Sequence, residues 1–240
     1  MVPLKDDNPT STTPVVVYGL VAINILIFLY QMSLLSSGGE AALQQFFNTW
    51  AIVPAELTGE LTGNALTLDQ EWLTLFTSQF LHGGFLHLGG NMLYLWIFGN
   101  NIEDKLGSTK FLFFYLVCGA LAGLAQWIIA PGSPIPTLGA SGAIAGVMGA
   151  YIIRFPRARI LTIVPLFVFI TTLRIPALFF LGFWFIQQAF YSALSLGATA
   201  DMGSGGVAYL AHAGGFVVGV ILGPLLGLFK DRGPKDRYRW

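Results

Sequence analysis

Of the chain's 240 residues, 55% are hydrophobic and only 10% charged, and its mean hydropathy is +0.69. A soluble domain carries charge on about a quarter of its residues, so these values exclude one and point to an integral membrane protein. The 12 basic and 12 acidic residues balance, and Cys118 is the single cysteine; global attraction to nucleic acid, an internal disulfide and a cysteine-based metal site are thereby excluded.

Residues 1–13, with Lys5, Asp6, Asp7 and a Ser/Thr/Pro cluster, read as a polar tail. Pro14–Leu35 is 22 residues without a charge, enough to span a bilayer and lacking the basic start and cleavage site of a signal peptide. Residues 36–84 contain Glu40, Glu56, Glu60, Asp69 and Glu71 but no Lys or Arg, along with Trp50, Trp72 and Phe76. This connection reads as an amphipathic segment dipping into the headgroups, with its Trp residues as interface anchors. Further apolar runs follow at about 85–102, 111–130, 139–155, 175–194 and 207–229. Residues 160–173 are apolar but only 14 long and are interrupted by Pro165, so they predict an interfacial or re-entrant approach to the fifth run.

The predicted architecture is an all-α polytopic membrane protein. One membrane domain, residues 14–229, contains six spans between a tail at 1–13 and a basic tail at 230–240. On this assignment all 12 Lys and Arg residues lie in the tails or in connections on one side. The positive-inside rule makes that side cytoplasmic, with both termini there. Glu103 and Lys105 then read as a solvated cytoplasmic turn.

The stretch from Gly139 through Ser141 to Tyr151 organises the rest. A serine flanked by glycines opens a small-residue helix of 17 residues to Phe155, roughly 25 Å against a hydrocarbon core of about 30 Å. A short helix that starts below the surface leaves its first N–H groups in need of partners, which only a protein-lined or watered cavity tolerates. Taken alone, such a stretch reads more readily as a packing face. The orientation, however, places His87 and Asn91, spaced i, i+4, in the outer half of the second span. Ser141 begins the fourth span at similar depth, and His212 lies about five residues into the sixth. Gly142, Gly146 and Ala150 line one helix, and Ala211, Gly215, Gly219, Gly223 and Gly227 recur at i+4 along another; smooth faces of this kind let helices meet closely. If they meet, His212 can act as base to Ser141. Asn91, His87 and the Ser141 backbone N–H can then face a developing oxyanion. Asp201 is the only acid in the outer loop nearby, and nothing makes it a third member, so the expectation is a Ser-His dyad. His82, before Gly83-Gly84, reads as structural, and two separated histidines make a poor metal shell. No metal or organic cofactor is expected.

With these residues in view the chain resembles the rhomboid intramembrane serine proteases over roughly residues 70–229. The motifs are His87-Leu88-Gly89-Gly90-Asn91, Gly139-Ala140-Ser141-Gly142, and Ala211-His212-Ala213-Gly214-Gly215 continuing to Gly219, with Glu103-Asp104-Lys105-Leu106-Gly107 after the second span. The resemblance implies a hydrolase acting by intramembrane proteolysis on single-span or polytopic membrane protein substrates in the lipid bilayer. Ser141 would be nucleophile, His212 general base, and Asn91, His87, Gly139 and Ser141 the oxyanion site. It also implies substrate entry beside the fifth span, around Phe179, Phe180, Phe183 and Trp184, and a capping role for the loop at 195–206. A bacterial inner membrane, with the site opening outward, is the expected location. Two positions depart from the pattern: Leu73 follows Trp72 where many relatives have arginine, and Ala145 stands where some place an aromatic beneath the histidine. The alternative from another class is a catalytically silent rhomboid-like protein that binds membrane clients, against which retention of Ser141 and His212 argues. A transporter finds no membrane-embedded acid and no inverted repeat.

Overall fold

The computed structural model describes residues 1–63, 71–166, 169–197 and 209–230. Asp69, Asp201 with loop residues 198–206, the start of the run at 207–229 and the tail beyond Lys230 lie outside them.

Helix α1, Val15–Trp50, breaks at Gly39, where φ is 69°. Short helices α2, Pro54–Thr62, and α3, Glu71–Thr77, fill the long connection. Helix α4, Phe85–Tyr94, passes through a π-helical turn at Leu95–Gly99 into α5, Asn100–Leu106. The remaining helices are α6, Ser108–Ile129; α7, Ser141–Arg154; α8, Ala177–Gly197; and α9, Tyr209–Leu225. Among the described residues α1, α6 and α8 are each long and apolar enough to cross a membrane, while α7 and α9 are apolar but shorter. The chain is an all-α polytopic membrane protein with a small sheet at one end.

The centre of the bundle is the packing of α7 against α9, with α6 across both. A Cβ at Gly149 would be driven into the Phe216 carbonyl, one at Gly215 into that of Gly142, and one at Gly219 into that of Gly146. The two backbones therefore touch without intervening side chains, as the i+4 small-residue rows predict. Gly227 is the exception to its row. It lies beyond α9 with φ 96°, in the turn where Leu228 N–H bonds the Gly223 carbonyl and Gly227 N–H that of Pro224. It is the left-handed residue that ends the helix.

Residues 159–176 fold as a β-hairpin, β2, Arg159–Leu166, and β3, Phe169–Pro176, paired from Arg159 with Pro176 to Leu166 with Phe169. This replaces the interfacial or re-entrant segment expected there. Its β-branched residues, among them Ile160, Thr162, Ile163 and Val164, favour paired strands over a 14-residue dip. The hairpin brings Leu161 opposite Arg174, so the chain returns to the end of the bundle it left. The N-terminal stretch supplies β1, Val2–Asp6, antiparallel to β2, so part of the expected tail is structured. Ile160 and Thr162 are fully buried on the sheet's inner face. There the Asp6 carboxylate accepts hydrogen bonds from the Tyr151 hydroxyl, near the end of α7, and from Asn101 Nδ2 at 2.8 Å.

The acidic turn after α4 is a correction to the sequence reading. Glu103 is 1% exposed and Asp104 7%, neither of them solvated. Glu103 accepts from the backbone N–H groups of Val16 and Val17 at 3.0 and 2.9 Å, and from the Ser108 hydroxyl at 2.7 Å. A carboxylate there satisfies orphan donors at the start of α1 and complements its dipole. Asp104 takes four bonds from the backbone and hydroxyl groups of Ser11 and Thr12. Burial would raise its pKa, but these bonds outweigh burial and hold it below the ordinary value.

The connection between α1 and α4 is anchored without the arginine missing at Leu73, which is itself exposed. Trp72 packs edge-on against Trp127 of α6, whose indole N–H bonds Thr58 Oγ1 at 2.9 Å. Gln79 enters the notch left by Gly119 and donates to the carbonyls of Leu75 and Leu116.

Two outcomes follow from this packing. Gly219→Val should destabilise the bundle by about 1–3 kcal/mol or more, because its neighbour is backbone that cannot rotate away. Gly89→Ala, with open space around its Cβ, should leave thermal unfolding in detergent unchanged or slightly raised; equal losses in both would contradict the contact. The second outcome concerns pH. Burial pushes the Asp6 carboxyl from 3.8 up to about 6 against its two hydrogen bonds. The folded protein then binds the extra proton, so this contribution to stability is complete below 3.8 and is lost as pH rises to about 6. Unfolding curves of wild type across that window should show a fall that Asp6→Asn flattens.

Candidate active site

Ser141 is presented by the end of a loop rather than by helix geometry alone. The Gly139 N–H bonds the Ser78 carbonyl at 2.9 Å, and Gly139 adopts φ +127°, a conformation that side-chain-bearing residues avoid. A Cβ at Gly139 would also lie 2.8 Å from His87 Nε2, so glycine serves both the turn and the approach of the ring. Ala140 completes the turn, and Ser141 is the first residue of α7. The leading N–H groups of a helix have no acceptor within it; here they open beside the hydroxyl.

His212 sits in the first turn of the described part of α9, next to Ala211 and one turn before the contact at Gly215. Because α7 and α9 touch backbone to backbone, the imidazole reaches the serine directly: Nε2 is 2.8 Å from Ser141 Oγ. Glycines of the α7–α9 contact thus control the distance between two side chains that lie 71 residues apart in the chain.

His87 and Asn91 share one face of α4. The His87 ring lies over Gly139 beside Ser141, and its Nδ1 accepts from the Gly83 N–H at 3.4 Å. That assigns the ring proton to Nε2, the atom turned toward Gly139. Asn91 is 8% exposed, and its Nδ2 is buried without a hydrogen-bond partner. A buried amide donor left unsatisfied costs on the order of 1–3 kcal/mol and is an unusual feature to retain. His82 is fully buried, stacks edge-on against His87 at 5.1 Å, and is held through its backbone by both ends of the Gln31 amide, at 2.7 and 3.1 Å. It supports the ring of His87 from behind.

The sequence reading did not include Gln188. This α8 residue is 7% exposed, and its Oε1 lies 2.8 Å from His212 Nδ1. One turn earlier Trp184 lies 5.9 Å from the imidazole, tilted 33°. The imidazole is therefore held from α8, where Ala145 leaves no aromatic on α7. The available signal was polarity: Gln187 and Gln188 interrupt an otherwise apolar run, and an intramembrane polar side chain needs a partner. Of the aromatic residues expected at substrate entry, Phe179 and Phe183 are exposed on α8, whereas Phe180 is buried in the core.

Ser141 opens onto a small pocket of about 30 Å³ between α6 and the loop at Thr137–Gly139, lined also by Ile52, Gln79 and Ala211. Among the described residues no group of three His, Cys, Asp or Glu is placed to hold a metal ion. The chemistry available at the site is that of a hydroxyl, a base touching it, and N–H donors beside it.

The Rhomboid family model, described as the rhomboid domain, matches residues 69–229. Rhomboid protein 1, mitochondrial, of Saccharomyces cerevisiae is 31% identical over 215 residues, covering 86% of this chain and 52% of that protein. Rhomboid protease GluP of Bacillus subtilis is 42% identical over 87 residues, 36% of this chain and 17% of that one. The human presenilin-associated rhomboid-like protein, mitochondrial, is 35% identical over 98 residues, 40% and 26% respectively. The chain spans about half the length of the yeast relative and a smaller part of the other two. Since the match takes in α3 to α9, and with them the serine turn and both helices that close on it, the chain belongs to the rhomboid family.

Proposed function

We propose that the chain is an intramembrane serine endopeptidase working through a Ser141–His212 dyad. The observation that carries this reading is the 2.8 Å contact between Ser141 Oγ and His212 Nε2, the arrangement a general base needs to activate a hydroxyl. As Oγ bonds the scissile carbonyl carbon, its proton passes to Nε2 and the carbonyl oxygen becomes an oxyanion. The Ser141 N–H, His87 Nε2–H and Asn91 Nδ2 supply donors to that charge, which strengthens each bond in the transition state. The C–N bond then breaks, with the Nε2 proton going to the leaving amine. Water, deprotonated by His212, hydrolyses the acyl ester and returns Ser141 to its starting state.

In the membrane we assign six spans, within α1, the α4–α5 unit as far as Ile102, α6, α7, α8 and α9. Both termini and the sheet lie in the cytoplasm of a bacterial cell, and the serine end of the bundle faces out. The eight Lys and Arg among the described residues fall on the sheet side of this assignment, which supports it. Substrates are membrane proteins whose transmembrane segments reach the cleft from the bilayer.

Purified protein in lipid vesicles should cleave a single-span test substrate. Ser141→Ala and His212→Ala should each lower kcat by roughly 10³-fold or more, and Asn91→Ala by about 10²-fold, with KM little changed. A fluorophosphonate should label Ser141 in wild type alone. An unlabelled, inert wild type that still binds membrane proteins would replace this reading with the client-binding one. For topology, an impermeant maleimide applied to spheroplasts should label a cysteine placed at Ile135, which is 53% exposed, and spare one at Arg157. The native Cys118 is buried and gives no background.

A further inference from the structure

Building on the dyad reading, we infer that Gln188 is a positioning residue that selects the reactive tautomer of His212 and ties the base to α8. A neutral imidazole carries one ring proton, and only the form with the proton on Nδ1 leaves an Nε2 lone pair to accept from Ser141 Oγ–H. The carboxamide oxygen of Gln188 can only accept, so its 2.8 Å contact with Nδ1 requires the proton there. The competing form would face the Gln188 oxygen with a lone pair and Ser141 with an N–H, losing both productive contacts.

The neighbours leave this task to α8. Ala145 is fully buried on the serine helix but has no polar atom. Trp184 offers a ring face to the imidazole and sets its tilt, not its proton. The two glutamines of α8 also diverge: Gln187 is exposed, while Gln188 is buried and its backbone carbonyl accepts from the Ser192 hydroxyl at 2.8 Å. Gln188 is uncharged, so it orients the ring without placing a full negative charge inside the bundle. The imidazolium formed during attack is still met by the carbonyl dipole. Ser141 and His212 belong to the glycine-packed pair α7 and α9, whereas their orienting group belongs to another helix. Displacement of α8 away from α9 removes the tautomer control without separating nucleophile from base.

The test uses the full chain in lipid vesicles with Gln188→Leu, Gln188→Glu and Gln187→Leu, read by kcat and KM on a single-span substrate and by ¹⁵N spectra of histidine-labelled protein. Gln188→Leu should lower kcat on the order of 10- to 100-fold, short of the roughly 10²–10⁴-fold that a general base itself supplies, with KM within about twofold. Gln188→Glu keeps an oxygen acceptor in either protonation state and should recover most of the rate, and Gln187→Leu should match wild type. The ¹⁵N spectrum should show His212 protonated at Nδ1 in wild type and as a tautomer mixture in Gln188→Leu. Wild-type rates in Gln188→Leu, equal losses in Gln188→Leu and Gln188→Glu, or an unchanged tautomer would overturn the assignment. The spectrum reads the tautomer without turnover, so an inert wild type that keeps the Nδ1 proton defeats the protease reading and leaves the positioning contact standing.

Discussion

Everything at the site depends on two helix backbones lying in direct contact. A side chain at Gly149, Gly215 or Gly219 would run into a carbonyl of the facing helix, so α7 and α9 can be this close only with hydrogen at those positions. Ser141 precedes the contact on one helix and His212 on the other, and their 2.8 Å separation follows from the contact. In a bilayer the hydrophobic effect does not draw apolar helices together, and close van der Waals packing takes over that role. The glycine faces thus hold the bundle together and also set the distance between Ser141 and His212.

The rest of the molecule fixes the ends of this pair. At one end Gly139 turns the chain so that Ser141 opens α7 under the His87 ring, with His82 and Gln31 behind it. At the other end Tyr151 and Asn101 grip Asp6, and Glu103 and Asp104 gather the start of α1. The acids that hold the sheet end accept from donors on Tyr151, Asn101, Val16 and Ser11, while Asn91 at the serine end keeps a buried N–H₂ without a partner.

What was legible beforehand divides along physical lines. Apolar length and small-residue period are local quantities, and they located the helices and the two faces that meet. Depth, counted at 1.5 Å per residue, put Ser141, His87, Asn91 and His212 on one level before any coordinates. The hairpin at 159–176 was not legible, because a short apolar run with a proline has no period that separates a strand pair from a dipping segment. Its partner β1 lies more than 150 residues away. Glu103 was misread as solvated because its donors, the N–H groups of Val16 and Val17, carry no side-chain signature. Gln188 lies in a run that is apolar on average, and nothing nearby in the sequence distinguishes which of two adjacent glutamines turns inward.

The pairing of β1 with β2 also bears on how the protein is made. β1 is synthesised long before Ile160–Ile163, its partners, and the bonds that close the sheet can form only after the intervening helices have been threaded into the bilayer. Residues 2–6 therefore wait for strand partners more than 150 residues further along, and Asp6 waits for Tyr151. Closing so long a loop comes late and is entropically demanding. The strand at the start of the chain is thus a seal on assembly: it locks only when the serine helix beneath it is already in place.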